Sequence, residues 1–157
     1  MIFVTIGSMF PFDRMIRAMD AFAADQDEEI LAQIGAGRYE PRHMAWVRKL
    51  DRPDYAARIA GARLVVAHAG VGSIVSAGEQ GKPIVVLPRR AALGEHTSDH
   101  QVETAGWLRD KPGIHVAATE ADLPACIATA SAVGVARIAA MADPAFIARI
   151  RAFIEAA

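Results

Sequence analysis

With 157 residues, the chain is long enough for one ordinary domain around a continuous buried core. Hydrophobic residues make up 53% and charged residues 22%, the balance of a soluble globular protein. A formal net charge of −1 offers no bulk attraction to nucleic acid or to an anionic membrane.

The first residues, Met1-Ile2-Phe3-Val4-Thr5-Ile6-Gly7, are a short apolar run with β-branched residues that enters a Gly7-Ser8 turn, which reads as a buried strand over Ile2–Ile6. They lack the basic segment and long apolar core of a signal peptide. Phe12, Met15, Ile16, Met19, Phe22 and Ala23 recur at helical spacing, with Pro11 suited to the first turn. Glu29–Ile34 predicts a second strand closed by Gly35-Ala36-Gly37, and His43–Leu50 a third. A helix over Pro53–Ala60 is expected to end at Gly61. Leu64–Ala67 is the clearest strand and runs into His68-Ala69-Gly70-Val71-Gly72-Ser73. A helix from Ser73 to Gln80 stops at Gly81. Pro83–Leu87 is another buried strand, and the polar loop Arg89–Thr97 leads to a helix over Ser98–Arg109. Ile114–Ala117 closes the strands, and Glu120–Ala130 and Pro144–Ala156 are closing helices.

Continuously apolar strands alternating with helices predict a doubly wound, Rossmann-like parallel sheet covered on both faces, in one domain over residues 1–157. Cys126, the lone cysteine, excludes an internal disulfide, fits a reducing cytosol and reads as a small core residue. No segment approaches the ~20 apolar residues of a membrane-spanning helix, so a cytoplasmic location is expected unless a partner tethers the chain.

Ligands of such sheets bind beyond the carboxyl ends of the strands, where Gly7–Phe12, His68–Ser73 and Arg89–Gln101 fall. The His68–Ser73 turn offers glycine freedom at Gly70 and Gly72, a helix start for a phosphate, and Ser73 as cap or donor. It reads equally as a tight connector. The Rossmann glycine fingerprint and the Walker loop are both absent, which disfavours simple NAD or ATP sites. Arg89 and Arg90 suit phosphates. Glu95, His96, Asp99, His100 and Gln101 suit sugar hydroxyls, an ordinary helix start, or a metal held by His96 and His100. His43 and His115 read as surface or satisfied core residues, Trp46 and Trp107 as core or interface, and Asp25-Gln26-Asp27 as a solvated turn at the opposite edge.

As an ordered set, these segments resemble the C-terminal domain of family 28 glycosyltransferases, from Ile2 to about Leu108. The resemblance rests on Phe3–Ser8, Phe10-x-Phe12-Asp13-Arg14, Gln33-Ile34-Gly35-x-Gly37-x-Tyr39-x-Pro41, His68–Ser73, Gly81–Arg89, and Gly94-Glu95-His96 with Asp99-His100-Gln101. It is closest to free-standing, PssE-like versions, in which a GT-B enzyme is divided between two polypeptides. The resemblance implies a UDP-sugar donor bound by this half and a lipid-linked sugar acceptor bound by a membrane-associated, PssD-like subunit. It begins at Ile2, so no acceptor domain is expected before it.

By position, the resemblance places His68, Ala69, Gly70, Gly72 and Ser73 around the diphosphate, flanked by Gly7 and Ser8. The backbone at Leu50 meets the uracil, and His100 and Gln101 face the sugar. Many relatives carry a ribose-binding glutamate where this chain has Ser76, with Glu79 one turn later as its substitute. The implied reaction is an inverting transfer without a cofactor or an essential metal. In undivided relatives the general base usually comes from the other domain, so no catalytic base is assigned in this chain, with His96 or His100 as the alternative. Two rival readings are a self-sufficient homo-oligomeric transferase and a non-catalytic nucleotide-sugar sensor. The closing helix sets Phe146, Ile147, Ile150, Phe153 and Ile154 on one face, which reads as cover for its own sheet or as an interface.

Overall fold

The computed structural model describes residues 1–132, and the expected helix Pro144–Ala156 with its apolar face lies outside them. The elements run β1 (Ile2–Thr5), α1 (Asp13–Ala23), β2 (Ile30–Gln33), β3 (Ala45–Val47), α2 (Arg52–Gly61) and β4 (Leu64–His68). They continue with α3 (Val71–Glu79), β5 (Ile84–Leu87), α4 (His100–Leu108), β6 (Ile114–Val116) and α5 (Leu123–Ala132). Short 3₁₀ turns at Ala91–Leu93 and Glu120–Asp122 precede α4 and α5.

The six strands form one parallel sheet in the order β3-β2-β1-β4-β5-β6. This is the doubly wound, Rossmann-like arrangement, and the chain reverses its winding direction between β1 and β4. Alternate side chains feed opposite faces. Ile2, Val4, Leu64, Val66, Val85 and Leu87 pack with Met15, Ile16 and Met19 of α1 and Leu123 and Ile127 of α5. Phe3, Val65, Ala67, Ile84 and Val86 pack with Ile59 of α2, Ile74 and Ala77 of α3, and Ala105 and Leu108 of α4. Each large apolar side chain contributes about 1.5–3 kcal/mol on burial, and central strands covered on both faces can be apolar throughout.

Several boundaries differ from the sequence reading for local reasons. The expected strand His43–Leu50 shrinks to Ala45–Val47. Its first part is held by Asp20, whose buried carboxylate accepts hydrogen bonds from the Tyr39 hydroxyl (2.6 Å) and the N–H groups of Arg42 (2.9 Å) and His43 (2.7 Å). Backbone donors satisfied by that side chain are not available to a ladder. Pro11 lies outside α1, whose N-cap is Phe12. Gly61 stays helical and α2 ends on extended Ala62. Gly81, at φ +61°, does terminate α3: its N–H donates to the Gly78 carbonyl and that of Lys82 to the Ala77 carbonyl, a Schellman closure.

Candidate functional site

The β1–α1 loop and the β4–α3 turn flank the point where the winding reverses, and between them opens a cleft of about 840 Å³. It is lined by Ile6, Gly7, Ser8, Met9 and Phe10 from the first loop and by His68, Gly70, Gly72, Ser73 and Ser76 from the second and α3. Gln33, Leu50, Asp51, Arg52, Tyr55 and Ala56 close one end, and Arg89, His96, His100 and Gln101 the other. The volume lies within the range of small-molecule sites.

The start of α3 faces this cleft uncapped. Its N-cap is Gly70, with φ −93° and no side-chain capping bond. The N–H groups of Val71 and Gly72 therefore have no helical acceptor and carry the positive end of the helix dipole. Ser73 is not the cap expected from the sequence. It lies in the first turn, and its Oγ accepts a 3.4 Å hydrogen bond from Tyr55.

The glycines also act differently from the expectation, since neither Gly70 nor Gly72 has positive φ. A Cβ on Gly70 would stand 2.1 Å from Nε2 of His68, and one on Gly7 would stand 2.7 Å from its Cε1, so the imidazole occupies the space that both glycines leave. A Cβ on Gly72 would meet nothing within 4 Å among the described residues, which leaves its side of the helix start open. Burial, and then the charge of Arg89, push the His68 imidazole down to about 4. It is therefore neutral at neutral pH, and its Nδ1 is buried without a hydrogen-bond partner among the described residues.

The β5–α4 loop holds the opposite wall. Arg89, 2% exposed, lies over the Phe12 ring and donates from Nη2 to the carbonyls of Ile6 (2.8 Å) and Phe10 (2.7 Å) and from Nη1 to those of Pro11 and Glu95. The Gln101 Oε1 accepts from the Arg89 N–H at 3.2 Å, which leaves the Gln101 amide nitrogen for the cleft. His96 and His100 meet edge to face at 4.4 Å, with Phe10 against His96 at 5.0 Å. Two side chains expected on this wall, and one expected in the β4–α3 turn, lie outside the cleft lining. Arg90 donates to the Ala118 carbonyl and does not line the cleft. Glu95 turns away to a bidentate pair with Arg14, at 2.7 and 2.9 Å, accepts from the Arg90 N–H, and does not line the cleft. Ala69, 1% exposed, is core.

The sequence of residues 1–110 matches the Glycosyltransferase family 28 C-terminal domain. The chain belongs to that family. No curated protein is significantly similar to it in sequence. Among solved structures, the fold is similar to CalG4, the calicheamicin glycosyltransferase, at TM-score 0.68 and 18% identity over 99% of this chain and 42% of that one. It is similar to the glycotransferase of kitacinnamycin (0.65; 19%; 90% and 38%) and to spinosyn forosaminyltransferase SpnP (0.64; 14%; 89% and 38%). The chain thus spans about two fifths of the length of these enzymes and matches the C-terminal half of the GT-B fold.

Within this family 28 domain, the end of the cleft formed by the β3–α2 loop departs most from the sequence reading. Leu50 and Ser76 line it, whereas Glu79 is exposed and does not. Besides Arg52 and Asp51, its polar groups are hydroxyls and an amide: Ser73, Ser76, Tyr55 and Gln33, the last accepting from Thr5 Oγ1 at 2.9 Å. Asp51 is spent capping α2 through the Asp54 N–H at 2.8 Å. Tyr55 carries no motif and reads from sequence as an ordinary helix residue, and Gln33, although it opens the Gln33–Pro41 segment of the resemblance, has no ligand role in the sequence reading. The Asp25–Asp27 segment lies between α1 and β2, at the amino ends of the strands. Among the described residues no group of three or more His, Cys, Asp or Glu side chains is placed to hold a metal ion, and no helix is long and apolar enough to cross a membrane.

The aromatic and histidine residues outside the cleft separate as well. Trp46 packs on the core, but Trp107 is 58% exposed beside Lys111. His43 is exposed beside Asp20, and His115 has its Nε2 buried without a partner among the described residues.

Proposed function

We propose that this chain is the donor-binding half of a two-part inverting glycosyltransferase, with a UDP-sugar in the cleft between β1 and β4. The observation that carries the reading is the uncapped start of α3, whose N–H groups open on a cleft at the reversal of the sheet's winding. A diphosphate there meets the positive end of the helix and, on departure as UDP, has its developing charge stabilised by groups that need not reorganise. Leu50 and Tyr55 then border the uracil, Ser73 and Ser76 the ribose, and His100 and the Gln101 amide the sugar.

A GT-B active site lies between two domains, and the family match of residues 1–110 supports reading this chain as the donor side of such a site. In this reading a membrane-associated, PssD-like subunit binds a lipid-linked acceptor, provides the general base and recruits this chain to the inner face of the membrane. The test is sugar transfer from UDP-sugars to a lipid-linked acceptor, with the chain alone and with a co-expressed acceptor subunit. UDP binding by the chain alone and turnover only with the second subunit is the expected result. Full turnover by the chain alone, at a rate the partner does not raise, overturns the divided-enzyme reading.

A further inference from the structure

Arg89 is a charge in the wrong place for a core and without the usual company. It is 2% exposed, and burial lowers its pKa only to about 10, so it stays protonated at neutral pH. Buried charges are ordinarily paired with an opposite charge. Among the described residues, however, no carboxylate forms an ion pair with it. Glu95 directs the hydrogen bonds of its carboxylate to Arg14 and the Arg90 N–H; its charge reaches Arg89 only through space, raising its pKa, and its hydrogen bond to Arg89 comes from the backbone carbonyl.

Its hydrogen bonds go instead to one loop. The carbonyl of Ile6 marks the start of the β1–α1 loop, and those of Phe10 and Pro11 mark its end. Between these anchors the N–H groups of Ser8, Met9 and Phe10 have no acceptor among the described residues, and all three residues line the cleft. The fixed guanidinium, the anchored loop and the start of α3 thus surround one space with positive charge and unpaired donors.

We propose that Arg89 is a positioning residue of this cleft, which pins both ends of the Gly7–Phe10 loop so that its free N–H groups face an anionic ligand, and whose unpaired charge is answered by that ligand's diphosphate. This rests on the reading that the cleft takes a nucleotide diphosphate, and it assigns to Arg89 an action through the loop and the field instead of direct contact.

The experiment is calorimetry with inorganic pyrophosphate, UDP and uridine on the wild type, Arg89→Met and Arg89→Lys. Arg89→Met is expected to weaken pyrophosphate and UDP roughly tenfold or more while uridine changes little, since the lost term acts on charge. Arg89→Lys should recover part of that loss. A purely structural role would lower thermal stability and weaken UDP and uridine in step, and an unchanged ratio of UDP to uridine affinity overturns the proposal. Pyrophosphate binding that depends on Arg89, with UDP no tighter than pyrophosphate, sinks the nucleotide reading and leaves the anion role standing. Absence of pyrophosphate binding to the wild type overturns both. Should the variants not fold, the amide NMR signals of wild-type Ser8, Met9 and Phe10 serve instead: they should shift on saturation with pyrophosphate, and their constancy overturns the proposal.

Discussion

The imidazole of His68 stands where a side chain on Gly70 would stand: a Cβ there would lie 2.1 Å from Nε2, while one on Gly72, two residues later, would meet nothing within 4 Å among the described residues. The two glycines of one turn therefore have separate physical reasons, and their alanine variants should separate stability from binding. Gly70→Ala must displace the His68 ring from a packed wall, an overpacking cost of roughly 1–3 kcal/mol. Gly72→Ala sits in the first turn of α3 with helical backbone and should keep or raise stability, by up to roughly 1 kcal/mol. It nevertheless places a methyl group on the open side of the helix start, so UDP affinity should fall in both variants. Thermal unfolding and calorimetry on the pair check this; unchanged UDP binding in Gly72→Ala would move the diphosphate elsewhere.

His68 also sets a pH dependence. Burial holds its imidazole at about 4, below its usual 6.5. The unfolded chain therefore takes up a proton first as pH falls, and the native state loses stability from about pH 6.5 down to about pH 4. At about 1.4 kcal/mol per pH unit this amounts to on the order of 3 kcal/mol, fully present above pH 6.5. His115, also lowered by burial, acts in the same direction. Urea unfolding at pH 7.5 and 4.5 should show the loss, and His68→Gln should flatten it. An equal slope in wild type and variant would remove His68 as its source.

The fold was legible because it follows from patterns of long reach: six apolar runs separated by helical periodicity admit little besides a covered parallel sheet. The site was legible only at the level of loops. Sequence reasoning brought Gly7, Ser8, Leu50, His68, Gly70, Gly72, Ser73, Arg89, His96, His100 and Gln101 to one region, and they do line one cleft. It could not tell which side chains face into the cleft. Glu95 looked like a ligand residue because no local pattern reveals that Arg14, 81 positions away, takes its carboxylate. Asp20 passed as an ordinary helix residue because its partners, Tyr39, Arg42 and His43, follow more than 18 positions later.

The Arg14–Glu95 pair joins α1 to the β5–α4 loop, with side chains 15% and 11% exposed. The Glu95 hydrogen bond keeps Arg14 charged above its ordinary range. Glu95→Gln leaves Arg14 without its bidentate partner and should cost roughly 1.5–3 kcal/mol, the worth of hydrogen bonds to charged groups. Because Glu95 does not line the cleft, affinity for UDP and for UDP-sugars should change by the same factor. A selective loss for UDP-sugars would restore Glu95 as a sugar contact.

His100 and Gln101 should behave differently although they are neighbours at the start of α4. His100 is exposed, and among the described residues its ring is hydrogen-bonded only to the Ser98 hydroxyl, at 2.8 Å, apart from its edge contact with His96. His100→Ala should leave thermal stability within about 0.5 kcal/mol, as expected for a surface substitution. If its ring reads the sugar, UDP-sugar affinity should fall relative to UDP by roughly 0.5–1.5 kcal/mol for one lost hydrogen bond. Gln101, 4% exposed, has two tasks: its Oε1 holds the Arg89 N–H, and its amide nitrogen is left for the cleft. Gln101→Ala leaves that buried N–H without an acceptor, at roughly 1–3 kcal/mol, and loosens the residue that anchors the β1–α1 loop. It should therefore lower stability, weaken UDP and lose discrimination between UDP and UDP-sugar, all in one variant. Gln101→Glu separates the two tasks, because a carboxylate still accepts from Arg89 but cannot donate to a sugar hydroxyl. Stability near wild type with UDP-sugar discrimination lost is the expected outcome for Gln101→Glu. Retained discrimination in Gln101→Glu would show that the amide nitrogen does not meet the sugar.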